Sequence, residues 1–221
     1  MSKNCKCASC ICGTLDSKDF IGWTESIGIT LNPAQVMLYN HVMNSNRCIQ
    51  YKCRRLAGFS FLYTLLAYWL VVKHDRLVAM IVPNHSGIKL IKQDLVRMGL
   101  DWPTNGFLIV PSNNIEIGLR GYGKLDYVFF DEASFCKNLE DAVQDLKRYT
   151  AGSADDTIVL YSSFAHPYLT YLQRMSSRWD SEWTFFQVPA FVFNMQHSNA
   201  MTPQQVGQPQ YAMEMECKFD G

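Results

Sequence analysis

A chain of 221 residues that is 48% hydrophobic and 18% charged has the composition of an ordinary folded protein, which excludes disordered, collagen-like and coiled-coil architectures. Lysine plus arginine (20) equals aspartate plus glutamate (20), so no extended basic surface is implied and any nucleic-acid contact must be local. The length suits one domain, with or without a small appendage.

The first twenty residues, MSKNCKCASCICGTLDSKDF, lack the continuous apolar stretch of a signal peptide. Four of the eight cysteines (Cys5, Cys7, Cys10 and Cys12) fall in one octapeptide, and the others are scattered at 48, 53, 136 and 217. That is not the spacing of a secreted disulfide framework. Four thiolates could serve one zinc, although structural zinc sites usually draw two short pairs from separated segments. The alternative is an oxidation-prone tail over residues 1–24, leaving residues 25–221 as the folded domain.

In chain order the pattern predicts a helix over Pro33–Met43, a strand over Arg47–Lys52 and a helix over Phe59–Val72. The uncharged run from Leu56 to Val72 is too short and too diluted by Gly58, Ser60 and Thr64 to cross a bilayer, which needs roughly 20 apolar residues; it reads as a helix buried on most sides. A strand over Leu77–Val82 precedes a helix over Ser86–Met98, where Ile88, Ile91, Leu95 and Met98 recur at three- and four-residue steps. Strands are predicted over Phe107–Val110, Ile115–Leu119, Asp126–Asp131, Thr157–Ser162 and Thr184–Val188, and helices over Leu139–Tyr149 and Pro167–Met175. Gln196 to Gln210 reads as a linker or loop. This alternation predicts an α/β fold, a mostly parallel sheet flanked by helices.

Tyr127-Val128-Phe129-Phe130-Asp131-Glu132 is an apolar strand ending in two acids, and a buried strand delivers such a pair to the carboxyl edge of a parallel sheet, where open α/β folds bind ligands. The first acid can hold Mg2+ and the second can orient and deprotonate a water that attacks a γ-phosphate. Upstream, Cys53-Arg54-Arg55-Leu56-Ala57-Gly58-Phe59-Ser60 lies between a strand and a helix, where backbone N–H groups and a helix N-terminus meet phosphate. Against the pattern GxxxxGK[ST], Cys53 stands for the first glycine and Phe59 for the lysine. Gly58 and Ser60 keep their spacing, and Lys52, Arg54 or Arg55 would supply the missing charge. The plainer alternative is a tight turn into a core helix.

These pieces, in this order, resemble the ATPase domain of the large terminase subunit that packages DNA in tailed bacteriophages. Leu31-Asn32-Pro33-Ala34-Gln35 is similar to the family's adenine-recognition segment, CRRLAGFS to its Walker A motifs, and Leu119-Arg120-Gly121 followed by DYVFFDEASF to its stretch ending in the paired Walker B acids. Thr157 to Ser163 resembles the coupling motif, and Tyr211 to Phe219 the segment that closes the domain before the nuclease. The resemblance spans roughly residues 25 to 219. It implies a P-loop NTPase fold of the ASCE type, with ATP and Mg2+ as cofactors. Gln35 would hold adenine; Lys52, Arg54, Arg55, Leu56, Ala57, Gly58, Phe59 and Ser60 would surround the phosphates; Ser60 and Asp131 would hold the metal. Glu132 would be the base, Arg55 a catalytic cation, Ser162 and Ser163 sensors of the γ-phosphate, and Arg120 an arginine finger acting in trans. It further implies a homo-oligomeric ring, a pentamer, on a capsid portal in the host cytoplasm, with double-stranded DNA, portal protein and small terminase subunit as partners, a monomer when isolated, and no membrane. No lysine occupies the usual Walker A place, and the sequence ends before a nuclease domain would fit, as in a shortened chain, a split gene product or a motor without its cutter.

His85 and His166 follow strands but have no metal-ligand spacing. Trp179, Trp183, Phe185 and Phe186 suit base stacking less well than core packing on a strand, and Lys89, Lys92, Arg97, Lys147 and Arg148 are by default solvated. Competing functions are another ring or helicase-like nucleic-acid ATPase, a non-catalytic nucleotide-binding scaffold, and a zinc-dependent module built on the N-terminal cysteines.

Overall fold

The computed structural model describes residues 19–52, 58–153, 155–163, 172 and 182–188. Its first element, α1 (Phe20–Ser26), has no counterpart among the expected elements. Asp19 starts it by accepting a hydrogen bond from the Ile21 N–H at 3.2 Å. A helix this short is held by tertiary contact: Phe20 and Trp23 are buried, Phe20 edge-on to Trp69 at 5.5 Å and Trp23 stacked on Tyr68 at 5.9 Å. The folded body therefore begins inside the stretch assigned from sequence to a tail at residues 1–24. The four clustered cysteines lie outside the described residues.

Asn32 and Gln35 then form a capping box, with Pro33 at the first turn, and launch α2 (Pro33–Met43). The succession continues through β1 (Arg47–Lys52), α3 (Phe59–His74), β2 (Val78–Val82), α4 (His85–Arg97), β3 (Phe107–Pro111), α5 (Ile115–Leu119), β4 (Tyr127–Asp131), α6 (Leu139–Thr150), β5 (Thr157–Ser163) and β6 (Thr184–Val188). The six strands make one sheet in the order β3-β2-β4-β5-β1-β6, with every neighbouring pair parallel. Both faces are covered, which is why β2 and β4 read as continuous apolar runs rather than alternating ones. On one face Met80, Phe129 and Val159 pack under α1 to α4; on the other Ile81, Phe130 and Leu160 pack against α5 and α6.

α3 is buried on most of its circumference, from Phe59 through Val71, and no helix among the described residues is long and apolar enough to cross a membrane. Its apolar run is that of a central core helix. A second expectation is overturned: Ile115–Leu119 is a helix, not a strand. Ile115 and Leu119 are buried while Ile117 is 70% exposed, which is the four-residue repeat of a helix face and the opposite of what two-residue alternation would bury. Gly118 lets this helix lie close on β3, because a Cβ there would sit 2.5 Å from Val110 Cγ1. The helix expected over Pro167–Met175 lies outside the described residues except for Leu172, which is buried in the second core; the Gln196–Gln210 loop and Tyr211–Phe219 lie outside them altogether.

The order of strands sets the position of the site. β1, which leads toward Gly58, and β4, which ends at Asp131, are separated by β5. The carboxyl ends of all three therefore meet at one edge of the sheet, with Asp131 beside Tyr161, Tyr51 beside Ser162 and Lys52 beside Ser163 in register.

Candidate functional site

Gly58 precedes α3 in the left-handed region (φ 76°), a conformation that glycine adopts without penalty and other L-residues adopt at a cost of about 1–2 kcal/mol. At the second position of the helix, Ser60 faces the sheet, and its hydroxyl lies 3.2 Å from each carboxylate oxygen of Asp131. The helix that carries Ser60 spans 16 residues, and its N-terminal N–H groups and dipole make this end favourable for an anion. Phe59 stands where a P-loop usually has lysine, and its side chain is only 1% exposed, in the core against Tyr63. It therefore offers its backbone alone to a ligand.

Glu132 follows Asp131 with φ 47°, a left-handed conformation that is uncommon for a non-glycine residue and is shared here by Asp75 and Asp156. The bend turns its carboxylate toward β5, where the Ser162 hydroxyl donates to Oε2 at 3.4 Å. Ser162 is itself fixed by Ser134: the Ser134 N–H donates to Ser162 Oγ at 3.2 Å, and the two hydroxyls are hydrogen-bonded to each other. Ser134 is fully buried and was not among the residues expected from sequence. The hydroxyl run Ser162-Ser163 signalled the β5 half of this contact, whereas Ser134 lies in a short turn after the acids with no pattern to mark it. The side chain of Ser163 falls outside the described part.

Gln35 is buried and its carboxamide bridges two segments. Oε1 accepts from the Asn32 N–H at 3.0 Å and Nε2 donates to the Gly58 carbonyl at 3.3 Å. The residue expected to read adenine thus also braces the glycine before α3. A carboxamide carries one further amide hydrogen and one further oxygen lone pair beyond these two bonds.

Arg54, Arg55, Leu56 and Ala57 lie outside the described residues, and Lys52 is described only as the last residue of β1. Arg120 ends α5, its side chain 78% exposed and 3.9 Å from Glu116, itself exposed; such a pair contributes little. His85 opens α4 at the same edge of the sheet, while His166 and Trp179 are outside the described part. Trp183 packs against Lys147, which is ion-paired to Glu182, and Phe186 lies 5.2 Å from the His41 ring. Arg148 pairs with Asp145 at 2.8 Å. No cluster of three or more His, Cys, Asp or Glu residues suited to a metal ion occurs among the described residues.

A six-stranded parallel sheet in which β5 lies between β1 and β4 defines a P-loop NTPase fold of the ASCE type. Solved structures share it. The large terminase ATPase domain of Thermus phage P74-26 matches with a TM-score of 0.61 and 14% identity, over 90% of this chain and 98% of that one. A mutant of that domain matches at 0.60 and 13% with the same coverage. The large terminase of bacteriophage HK97 matches at 0.56 and 11% identity, over 91% of this chain and 52% of that one. No protein-family model and no curated protein sequence matches. At these identities the likeness establishes the fold, and it is the fold expected from the resemblance of the motifs.

Proposed function

We propose that the chain carries the Mg2+-dependent ATPase domain, α1 (Phe20–Ser26) included, of a motor that drives double-stranded DNA into a viral capsid. One observation carries this reading: the Ser60 hydroxyl at the start of α3 and the Asp131 carboxylate at the end of β4 converge at 3.2 Å, with Glu132 turned beside them and tethered to Ser162. The donors fit the ion. Mg2+ favours hard oxygen ligands and is usually held by one or two protein groups together with substrate phosphates, which is what a hydroxyl and a carboxylate at a helix N-terminus provide. When bound, the cation neutralises charge on the phosphoryl group being transferred.

The chain's own groups do the rest. Backbone N–H groups at the start of α3, with Leu56 and Ala57, cradle phosphate oxygens, and Lys52, Arg54 and Arg55 supply the positive charge that Phe59 cannot. Glu132 takes the proton of the attacking water on its carboxylate, held in orientation by Ser162, with Ser163 sensing the γ-phosphate. Gln35 joins adenine to the Gly58 carbonyl. Arg120 acts on the site of a neighbouring subunit in a pentameric ring, mounted on a portal and served by a small terminase subunit in the host cytoplasm, as the resemblance implies. For DNA, α4 offers a groove of about 630 Å3 lined by His85, Lys89, Lys92 and Arg97 among others, with Lys92 resting on the half-exposed Trp102 ring at 5.2 Å. In a chain of zero net charge, Lys89 and Lys92 place positive charge suited to phosphates on this helix, beside an Arg97 that is paired with Asp94 at 3.2 Å.

The deciding experiment is steady-state ATP hydrolysis with and without DNA. Mg2+-dependent turnover stimulated by double-stranded DNA is expected. Stimulation by single strands alone would assign the chain to the helicase-like ATPases, and nucleotide binding without turnover would make it a scaffold.

A further inference from the structure

Tyr161 sits in β5 directly beside Asp131 of β4, in register. Aligned residues of neighbouring strands point to the same face, and for this pair it is the face covered by α3. Ser60 and Tyr63, one turn apart on α3, lie above them. Ser60 reaches Asp131, and the Tyr63 ring packs on the Tyr161 ring at 4.4 Å and on Phe129 at 5.2 Å. Tyr63 is anchored from behind, because its hydroxyl donates to Gln50 Oε1 while Gln50 Nε2 donates to the Leu38 carbonyl at 3.3 Å and to His41 Nδ1 at 3.0 Å. Every group in this layer therefore has its hydrogen bond except one. Tyr161 is completely buried, and its hydroxyl has no hydrogen-bond partner among the described residues.

An unpartnered buried hydroxyl costs roughly 1–3 kcal/mol and calls for an explanation. A phenol hydroxyl can donate, and the Asp131 carboxylate beside it in register can accept. In the structure the Ser60 hydroxyl serves both Asp131 oxygens. A hydroxyl that ligates a cation through its oxygen cannot keep its proton directed at both of them.

We infer that Tyr161 is a positioning residue for Asp131: its hydroxyl donates to the carboxylate when Ser60 turns to the metal, so that the acid stays oriented under load. The inference rests on the reading of Ser60 and Asp131 as the Mg2+ pair. It also gives the orphaned hydroxyl a role, since a donor without a partner among the described residues is available to a carboxylate that Ser60 releases. Partners of this kind behind metal-binding carboxylates typically change affinity 10–100-fold when removed.

The test is Tyr161→Phe, followed by Mn2+ binding in the presence of a nonhydrolysable ATP analogue, read by electron paramagnetic resonance, and by thermal unfolding without metal. Removing a hydroxyl that has no partner should leave the metal-free Tm unchanged or higher, while Mn2+ affinity falls about tenfold. Tyr63→Phe is the structural control: it breaks the bond to Gln50, so its Tm should fall with Mn2+ affinity retained. Wild-type Mn2+ affinity in Tyr161→Phe overturns the inference while leaving the site intact. A Tyr161→Phe protein that fails to fold without metal overturns it too, because the hydroxyl would then serve the scaffold. Equal losses of affinity in both variants reduce the effect to loosening of the core. A wild-type protein that binds no Mn2+ with the analogue removes the site reading itself.

Discussion

Gly58 occupies the most constrained backbone position in the site. It is left-handed, and a Cβ built on it would lie 2.7 Å from Gln35 Nε2, so a side chain there must displace the amide that braces it. Gly58→Ala should therefore cost at least about 1–2 kcal/mol, which for a chain of this size lowers Tm by a few degrees at roughly 2–4 °C per kcal/mol. It should also weaken nucleotide binding, measured by titration with a fluorescent ATP analogue. A second residue-scale prediction concerns His41, whose pKa burial pushes below its ordinary 6.5. Its Nδ1 accepts from Gln50, whose orientation is fixed because the Leu38 carbonyl can only accept. The folded state thus binds the proton more weakly than the unfolded state, so this contribution to stability is present above about pH 6.5 and lost as pH falls through the lower folded value. Urea denaturation between pH 8 and pH 5 should show the loss, and His41→Ala should flatten the profile. At this scale Ser60, Asp131 and Glu132 were legible because an apolar strand ending in acids and a glycine before a helix are local patterns. Ser134 and Tyr161 were not, since their roles come from strand register and from a buried hydroxyl that only three-dimensional packing reveals.

At the scale of elements, the sheet strands were readable from apolar runs and the long helices from their periodicity and caps; the Asn32–Gln35 box at α2 is an example. Ile115–Leu119 failed because Ile-Glu-Ile-Gly-Leu alternates as a strand does, and five residues are too few to separate a period of 2 from one of 3.6. Gly118 was the usable signal, as a glycine that admits close approach to Val110. α1 escaped because two turns carry little periodicity and their stability comes from aromatic packing. α4 supports a functional prediction. Ile91 and Leu95 face the core while Lys89 and Lys92 point outward, so Lys89→Glu with Lys92→Glu should leave folding and basal ATP turnover unchanged. The same pair should abolish stimulation by double-stranded DNA and reduce the salt dependence of DNA binding, measured by fluorescence anisotropy across a salt series. Retained stimulation would place the DNA path elsewhere.

For the whole molecule, the parallel sheet with β5 between β1 and β4 supplies a common edge at which residues from distant parts of the sequence meet. Order along the chain made that architecture legible, while residues 53–57 and those beyond 188, which lie outside the described part, were legible only as motifs. Assembly is where Arg120 matters. Ile117, Arg120 and Tyr122 form an exposed group at the end of α5, and an arginine finger contributes about a thousandfold or more to turnover only across an assembled interface. Mixing Arg120→Ala with Glu132→Gln protein under assembling conditions should restore activity that neither has alone; a mixture as inactive as its components would remove Arg120 from the neighbouring site.

The central claim is that Glu132, bent out of β4 and tethered to Ser162, is the base of an ATP-hydrolysing site whose metal pair is Ser60 and Asp131. Its most direct test is Glu132→Gln, which keeps size and most hydrogen bonding but removes the charge. Steady-state turnover and equilibrium binding of Mg2+-ATP should be measured on the same preparation. Turnover should fall by about a hundredfold or more with nucleotide affinity and Tm retained. Wild-type turnover in Glu132→Gln, or loss of binding and folding together, would contradict the account.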